Sequence, residues 1–419
     1  MDKLFLKSSD SQLGLKDEQI EELLSRALKS CPPIKKALFI PPDITRSNSY
    51  AGYITRTLYN LLPNAEIDIM PALGTHIAMT HKEIEKMYPD IPKERFLVHR
   101  WRQDVLKLGD IPADFIEHVS EGKLNVSIPV EVNRRIVDPT YDIIISIGQV
   151  VPHEVAGMSN FNKNIFVGCG GSDMINYSHY LGALYGMERV MGQDNSPVHQ
   201  IFDYAENKFI SHIPIMYILT VTTIDANNDV LVQSVSSGRE RELFSRSIEV
   251  SRQHNLNFLD APLKKIVTYL EPEKFHTTWL GNKAIYRTRM AMADGGRLIV
   301  VAPGVRGFGE DSENDALIRK YGYWGRDKIL SLTENNEDLK NNLGVAAHLI
   351  HGSSEGRFDV TYVTEGLTKH EVENAGFNYA KLDEILSLYD INTLKDGFNI
   401  VNGEEIFFIR NPASGLWLC

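Results

Sequence analysis

The chain has 419 residues, of which 43% are apolar and 24% are charged. These values are ordinary for folded globular proteins and exclude disordered and fibrous classes, while the length suggests two domains. Lys and Arg number 44 against 55 Asp and Glu, so the formal net charge is −11. That charge argues against nucleic acid as a partner, because binding phosphates needs a basic surface.

The cysteine count and the lack of long apolar runs predict a cytoplasmic protein. Cys31, Cys169 and Cys419 are far apart, and three cysteines cannot form a disulfide framework or a cysteine-based zinc site. The first ten residues lack the apolar segment and cleavage site of a secretory signal. No apolar run approaches the roughly 18 residues needed to span a membrane, so we expect no membrane partner.

Short apolar runs alternate with amphipathic stretches along the chain. In the first part, the patterns predict helices at 17–28, 53–62 and 81–87, and strands at 36–40, 66–70 and 141–147. A β-rich run at 213–224, a turn at 225–229 and a strand at 230–235 predict a hairpin. Further on, they predict helices at 282–293, 343–349 and 381–388, and strands at 298–302, 359–363 and 405–409.

This alternation predicts an α/β fold of two domains, each a mostly parallel sheet flanked by helices. Continuously apolar strands fit sheets that are covered on both faces. We place the domain boundary near Pro272, which gives domains of residues 1–272 and 273–402. We expect the tail, 403–419, to return to the first domain.

Two polar clusters follow predicted strands in the first domain. Asp43-Ile44-Thr45-Arg46 comes directly after the strand at 36–40, and Gly74-Thr75-His76 comes after the strand at 66–70. Ligands of parallel α/β sheets bind at the carboxyl ends of strands, where an arginine can bind a phosphate or carboxylate and a histidine can act as a base. The alternatives are a helix cap by Asp43 or Thr45 and an exposed loop histidine.

Two more clusters lie after the strand at 141–147. One runs from Pro152-His153-Glu154 through Ala156-Gly157-Met158-Ser159 to Lys163, and the other is Asn176-Tyr177-Ser178-His179, which follows the glycine-rich residues 168–171. Glycine-rich segments expose backbone N–H groups that can hold anions. Each histidine alone could be an ordinary buried polar residue, but three histidines after three strands of one sheet favour a shared crevice.

Taken together, the four clusters resemble the nickel-dependent lactate racemase family. That family shows Asp-x-Thr-Arg, Gly-Thr-His, Pro-His-x-x-Ala-Gly-x-Ser, a lysine and a further histidine in this order. Here Lys163 follows His153 by ten residues and precedes His179 by sixteen, as in the family. The resemblance is convincing over residues 38–190 and weaker beyond.

The resemblance implies a cofactor-binding first domain and an active site in the cleft between the domains. It also implies nickel held in a nickel-pincer nucleotide, pyridinium-3,5-bisthiocarboxylic acid mononucleotide, attached covalently to Lys163. His179 matches the nickel ligand, which suits nickel with sulfur, carbon and imidazole donors. His76 and His153 match the acid and base, and Asp43, Thr45 and Arg46 match the loop that contacts the cofactor.

The implied reaction is inversion at C2 of a 2-hydroxy acid, which makes the protein an isomerase. One histidine takes the hydroxyl proton while the C2 hydride passes to the cofactor, and a planar 2-keto acid results. Return of the hydride on the other face inverts the centre, with the second histidine supplying the proton. Cofactor-synthesis proteins are the implied loading partners.

The second domain departs from the family where the substrate is held. The lactate enzymes have Tyr-Gln-x-x-Lys, whereas this chain has Tyr286-Arg287-Thr288-Arg289-Met290. Tyr286 is retained as a cofactor contact, and Arg287 and Arg289 add positive charge for a carboxylate. We therefore expect a substrate larger than lactate, such as an aldonate.

Three alternatives remain at this point: lactate racemase proper, a non-catalytic carrier of the cofactor, and an NAD-dependent dehydrogenase. A dehydrogenase should show Gly-x-Gly-x-x-Gly between the first strand and helix. The run Gly304-Val-Arg-Gly-Phe-Gly309 lies late and lacks that context. A carrier would need Lys163 and His179 but not both His76 and His153.

Overall fold

A computed structural model describes residues 2–8, 13–225, 229–413 and 415–419. These residues form two compact units, residues 1–185 with 189–255 and residues 186–188 with 256–419. Among the helices of these stretches, none combines the length and apolar character that crossing a bilayer requires.

Within its described residues, the first unit contains ten strands, and six of them form its main sheet. Its strands are β1 (Leu4–Lys7), β2 (Lys36–Ile40), β3 (Glu66–Ile69), β4 (Val105–Ile111), β5 (Ile128–Asn133), β6 (Ile143–Gln149), β7 (Pro152–His153), β8 (Gly157–Met158), β9 (Ile215–Ile224) and β10 (Val230–Gly238). The main sheet has the order β1-β10-β9-β6-β2-β3. Strands β9, β6, β2 and β3 are parallel, and β10 and β1 add antiparallel. Two small antiparallel pairs, β4 with β5 and β7 with β8, lie outside this sheet.

Helices cover both faces of this sheet. The helices of this part of the chain are α1 (Asp17–Lys29), α2 (Ala51–Leu61), α3 (His81–Met87), α4 (Ala113–Val119), α5 (Ser172–Tyr185), α6 (Met187–Val190), α7 (Pro197–Ala205) and α8 (Arg241–Asn255), and Met187 and Glu188 at the start of α6 belong to the second unit. Alternate residues of β2 enter two different cores, Leu38 and Ile40 on one face and Ala37 and Phe39 on the other. Since successive side chains of a strand point to opposite faces, burial of both faces explains why β2 is continuously apolar.

Within its described residues, the second unit contains eight strands, and six of them form another sheet. Its strands are β11 (Leu256–Phe258), β12 (Leu263–Tyr269), β13 (Met292–Val301), β14 (Asp359–Val363), β15 (Asn378–Ala380), β16 (Gly397–Val401), β17 (Glu404–Ile409) and β18 (Leu416–Leu418). The order is β15-β14-β13-β12-β17-β16, and only the β16–β17 pair of this sheet is antiparallel. The prediction of two mostly parallel sheets flanked by helices is therefore confirmed.

The helices of the second unit connect these strands. They are α9 (Thr278–Gly281), α10 (Lys283–Thr288), α11 (Ser312–Tyr321), α12 (Arg326–Asn335), α13 (Glu337–Lys340), α14 (Leu343–His351), α15 (Lys369–Asn374) and α16 (Leu382–Leu388). The helix expected at 282–293 ends earlier, because α10 stops at Thr288 and β13 begins at Met292. The strand expected to begin at 298 starts six residues earlier, although its added part, Met292-Ala-Asp-Gly-Gly-Arg297, is mostly polar or glycine and partly exposed.

The structure corrects two predictions about domain organisation. The first unit ends at Asn255 rather than near Pro272, because β12 already pairs with β13 in the second sheet. The tail does not return to the first unit, since β17 pairs with β12 and β18 pairs with β11. Most of the turn expected at 225–229 lies outside the described residues.

Candidate active site

The Asp-x-Thr-Arg motif forms a tight turn at the carboxyl end of β2. Asp43 caps a 3₁₀ helix (Ile44–Ser49), and its Oδ1 accepts hydrogen bonds from the Thr45 backbone N at 3.1 Å and from Thr45 Oγ1 at 2.5 Å. The predicted capping role of Asp43 is thus present. Thr45 acts here by orienting Asp43, and Arg46 lies partly buried in the same turn.

The second oxygen of Asp43 contacts the histidine of the Gly-Thr-His loop. Asp43 Oδ2 lies 2.5 Å from His76 Nδ1, and the carboxylate is buried while the imidazole is about one-quarter exposed. A carboxylate beside Nδ1 holds the proton on that nitrogen, so Nε2 carries the lone pair. The arrangement gives a histidine that is ready to accept a proton at Nε2.

His153 is held in the other tautomer. It lies in the small hairpin of β7 and β8, and its Nδ1 accepts hydrogen bonds from the backbone N of Val155 at 3.1 Å and of Ala156 at 3.4 Å. The neutral imidazole therefore carries its proton on Nε2. Ser159 pins this hairpin, because its Oγ donates to the Gln149 carbonyl at 2.6 Å.

Lys163 follows this hairpin at the start of a π-helix (Asn164–Gly168). The pKa of its ammonium is lowered to about 8, mainly by burial and also by the nearby positive charge of Arg46, while the carboxylate of Glu154 acts in the opposite direction. A lysine with this pKa is partly neutral near pH 8, and a neutral amine is a nucleophile. The turn of Arg46 and the hairpin of Glu154 are thus both close enough to act on Lys163.

His179 lies on α5 and is held as a neutral imidazole. Its Nδ1 donates to the Ile175 carbonyl at 2.7 Å, which leaves the lone pair on Nε2. Burial lowers the pKa of His179 to about 4, and the charge of Lys163 contributes in the same direction. Metal-binding histidines commonly donate their other N–H to a carbonyl in this way.

The histidine loop and the lysine segment are joined through the backbone. Gly74 N donates to the Gly168 carbonyl at 2.9 Å, and a Cβ at Gly168 would lie 2.7 Å from the Ala72 Cβ. Glycine at position 168 is therefore needed for this close approach. The contact fixes the loop of His76 against the π-helix that begins after Lys163.

Two further histidines of the first unit are buried and structural. His99 Nε2 lies 3.0 Å from the Gly170 carbonyl, and His199 Nε2 lies 2.9 Å from the Met158 carbonyl. Burial lowers the pKa of each to about 4. Both are neutral at physiological pH and support the backbone of the site.

Tyr286, predicted to contact the cofactor, lies in the second unit and is buried, as are Arg287 and Arg289, which were predicted to hold the substrate. Tyr286 Oη is 2.8 Å from His348 Nδ1, and Arg287 has no exposed surface. Arg289 Nε lies 2.7 Å from Glu188 Oε1, and its Nη1 donates to the carbonyls of His351 and Ser353. These contacts make Arg289 a structural residue of this unit, and the predicted binding of substrate by Arg287 and Arg289 stays a prediction.

Sequence reasoning missed Glu154. Its Oε1 lies 3.9 Å from His153 Nε2, and its charge raises the pKa of both Lys163 and His179. Its position inside the Pro-His-x-x-Ala-Gly motif, directly after His153, was the one available signal.

Across the described ranges, no group of three His, Cys, Asp or Glu side chains is arranged to hold a metal ion.

The first part of the chain is similar to known proteins. Residues 15–192 match the family model for the lactate racemase N-terminal domain. The lactate racemase of Thermoanaerobacterium thermosaccharolyticum is 27% identical over 152 residues, which are 35% of this chain and 32% of that protein. The match thus spans about a third of that relative.

Two solved structures share the fold. A structural-genomics crystal structure from Thermotoga maritima has a TM-score of 0.84 at 24% identity and covers 98% of this chain and 99% of that one. The lactate racemase apoprotein of T. thermosaccharolyticum has a TM-score of 0.68 at 18% identity, with 95% and 92% covered. The chain shares its two-domain α/β fold with these two structures, and its residues 15–192 are similar to the lactate racemase N-terminal domain.

Proposed function

We propose that the protein is a 2-hydroxy acid racemase or epimerase that inverts C2 and uses a nickel-pincer nucleotide on Lys163. The observation that carries the proposal is the contact between Asp43 and His76, 2.5 Å from Oδ2 to Nδ1, in the same unit as Lys163 and His179. A carrier of the cofactor has no use for a histidine prepared to accept a proton.

The residues present fit the proposed cofactor. The partly neutral amine of Lys163 suits covalent attachment, and Nε2 of His179 suits nickel, which accepts imidazole donors. Arg46, beside Lys163, suits the phosphate of the mononucleotide. When bound, the cofactor would supply an acceptor for the C2 hydride.

The two remaining histidines move the proton. His76 Nε2 takes the proton of the C2 hydroxyl, and Asp43 stabilises the imidazolium that forms. His153 presents an N–H at Nε2, which donates a hydrogen bond to the substrate oxygen. The tautomers make the two histidines unequal at the start of a turnover.

The proposed substrate is a 2-hydroxy acid larger than lactate, such as an aldonate. Arg287 and Met290 occupy the positions at which the lactate enzymes have Gln and Lys, so the contacts for a small monocarboxylate are changed. Lactate racemase proper and a non-catalytic carrier are the alternatives. We further propose cytoplasmic location and loading by cofactor-synthesis proteins, with no nucleic acid or membrane partner.

The test is a screen of 2-hydroxy acids for stereoinversion and for deuterium exchange with solvent, using protein produced with the cofactor-synthesis proteins. We expect inversion at C2 and an adduct on Lys163 in mass spectra. Lys163→Ala should lose the adduct and keep its fold. An adduct on another lysine, or cofactor binding without inversion of any acid, would contradict the proposal, and the second outcome would favour the carrier.

A further inference from the structure

Two residues just before Lys163 have left-handed backbones although neither is glycine. Asn160 has φ 72° and Phe161 has φ 55°. This region is unfavourable for residues with a Cβ, and a bulky side chain such as phenylalanine is rarely found there. Such conformations persist where the surroundings impose them.

The side chain of Asn160 does not explain the turn. Asparagine usually tolerates this conformation by forming local hydrogen bonds, but neither Asn160 Nδ2 nor Oδ1 has a partner in the described part of the chain. The amide is instead packed over Gly148, where a Cβ would lie 2.5 Å from Nδ2. The left-handed backbone of Asn160 is therefore accompanied by packing of its side chain and not by a side-chain hydrogen bond.

The packing comes from an aromatic cluster under the turn. The ring of Phe161 lies 4.4 Å from that of Tyr217 and is stacked on that of Phe244, with centroids 4.9 Å apart and an interplanar angle of 13°. Phe161 is 2% exposed. The guanidinium of Arg241 lies over the Phe244 ring at 4.9 Å. The aromatic cluster therefore also contacts a charged side chain.

The next residue fixes the other end of the turn. Asn162 Nδ2 donates to Asp203 Oδ1 at 2.6 Å, and Asp203 pairs with Arg241 at 3.1 Å. The chain is thus held on both sides of the peptide that leads into Lys163, and the direction of that lysine depends on the turn.

We propose that Phe161 is a positioning residue, whose ring between Tyr217 and Phe244 imposes the left-handed turn that directs Lys163 into the site among Arg46, Glu154 and His179. The inference rests on the proposed role of Lys163 as the attachment point. A lysine released from this turn would move towards water and away from Arg46. Burial and the charge of Arg46 both keep the amine partly neutral, so both changes would raise its pKa.

The experiment measures the reactivity of Lys163 in the apoprotein against pH. The probe is 2,4,6-trinitrobenzenesulfonate, peptides are identified by mass spectrometry, and exposed Lys208 is the internal reference. In the wild type, the rate at Lys163 should rise with a midpoint near 8. Phe161→Gly should raise that midpoint, and each unit lowers the neutral fraction at pH 7 about tenfold.

Two variants separate positioning from stability. Phe244→Leu removes the stacking partner and should also raise the midpoint, which keeps the test valid if Phe161→Gly does not fold. Phe39→Leu, a buried phenylalanine on the other face of the sheet, should lower the melting temperature and leave the midpoint unchanged. An unchanged midpoint in folded Phe161→Gly, or in Phe244→Leu if that variant alone folds, overturns the inference.

Failure of the proposed function would look different. If Lys163 carries no cofactor adduct in loaded protein but Phe161→Gly still shifts the midpoint, the attachment role is wrong and the positioning role stands. If the adduct forms and the midpoint does not shift in Phe161→Gly, the positioning role is wrong and the attachment role stands.

Discussion

Asp43 divides its two carboxylate oxygens between two residues, Thr45 on Oδ1 and His76 on Oδ2. Since Thr45 supplies two donors, Oδ1 is fixed as an acceptor. The free orientation of the carboxylate is thereby lost, and Oδ2 is held towards His76. The geometry makes the tautomer of His76 depend on the chemistry of position 43.

Asp43→Asn should therefore change the tautomer of His76, with the proton moving from Nδ1 to Nε2. The amide oxygen stays with the donors of Thr45, so the NH₂ group faces Nδ1 and forces the proton onto Nε2. We expect C2 inversion to fall by about 10²–10⁴-fold, the usual contribution of a general base, with nickel content unchanged. Asp68→Asn is the control, because Asp68 bonds Tyr141; unaltered turnover in Asp43→Asn would refute the role of the pair.

The metal-binding and proton-transfer histidines should separate under mutation. His179→Ala should release nickel during dialysis, measured by elemental analysis, because its imidazole is the proposed ligand. His76→Ala and His153→Ala should retain nickel and lose turnover. Equal nickel loss in all three variants would mean that the roles are assigned wrongly.

Lys163→Met should stabilise the apoprotein at neutral pH. The pKa of Lys163 is lowered to about 8 in the folded state, so the folded protein binds its proton less tightly than the unfolded chain does. The resulting penalty is complete below pH 8 and disappears as the pH approaches 10.5. We expect about 1–2 kcal/mol more stability at pH 7, less than the full pKa shift implies, because Lys163 is only partly buried and solvent screens its charge.

Denaturant titrations of the wild type and Lys163→Met at pH 7 and pH 10 measure their free energies of unfolding. The difference between the two free energies should be smaller at pH 10. A variant that is less stable than the wild type at pH 7 would show that the contacts of Lys163 outweigh its desolvation.

Lactate should be a poor substrate. A lost charge-assisted hydrogen bond costs about 1.5–3 kcal/mol, or roughly a ten- to hundredfold loss in rate or affinity, and a small acid has few other contacts. Loaded enzyme should invert a larger 2-hydroxy acid, such as an aldonate, faster than lactate in side-by-side polarimetry. Faster inversion of lactate than of every larger acid tested would end the substrate argument but leave the family assignment intact.

Sequence patterns located the elements that depend on local signals. The strands at 36–40 and 359–363 and the helix at 81–87 have the predicted bounds. The strand at 36–40 is a short apolar run, the strand at 359–363 is rich in β-branched residues, and Thr80 caps α3 and forms a capping box with Glu83. Elements that depend on partners elsewhere were placed less well, since β17 and β18 join strands far away in sequence.

The site shows the same division. Motif order indicated Lys163 and His179, but the pairing of Asp43 with His76 joins two loops and has no local signature. The turn at Asn160 and Phe161 was also hidden. Its left-handed backbone accompanies contacts of Phe161 with Tyr217 and Phe244, which are far away in sequence and leave no local signal.

The buried histidines that support the site make the first unit sensitive to acid. His99 and His199 have pKa values near 4 in the folded state, whereas an unfolded histidine titrates near 6.5. Between these values only the unfolded chain takes up the protons, so each residue favours unfolding by up to about 3 kcal/mol as the pH falls from 6.5 to 4. The melting temperature of the apoprotein should therefore drop steeply between pH 6.5 and pH 4. His199→Phe should make this drop shallower.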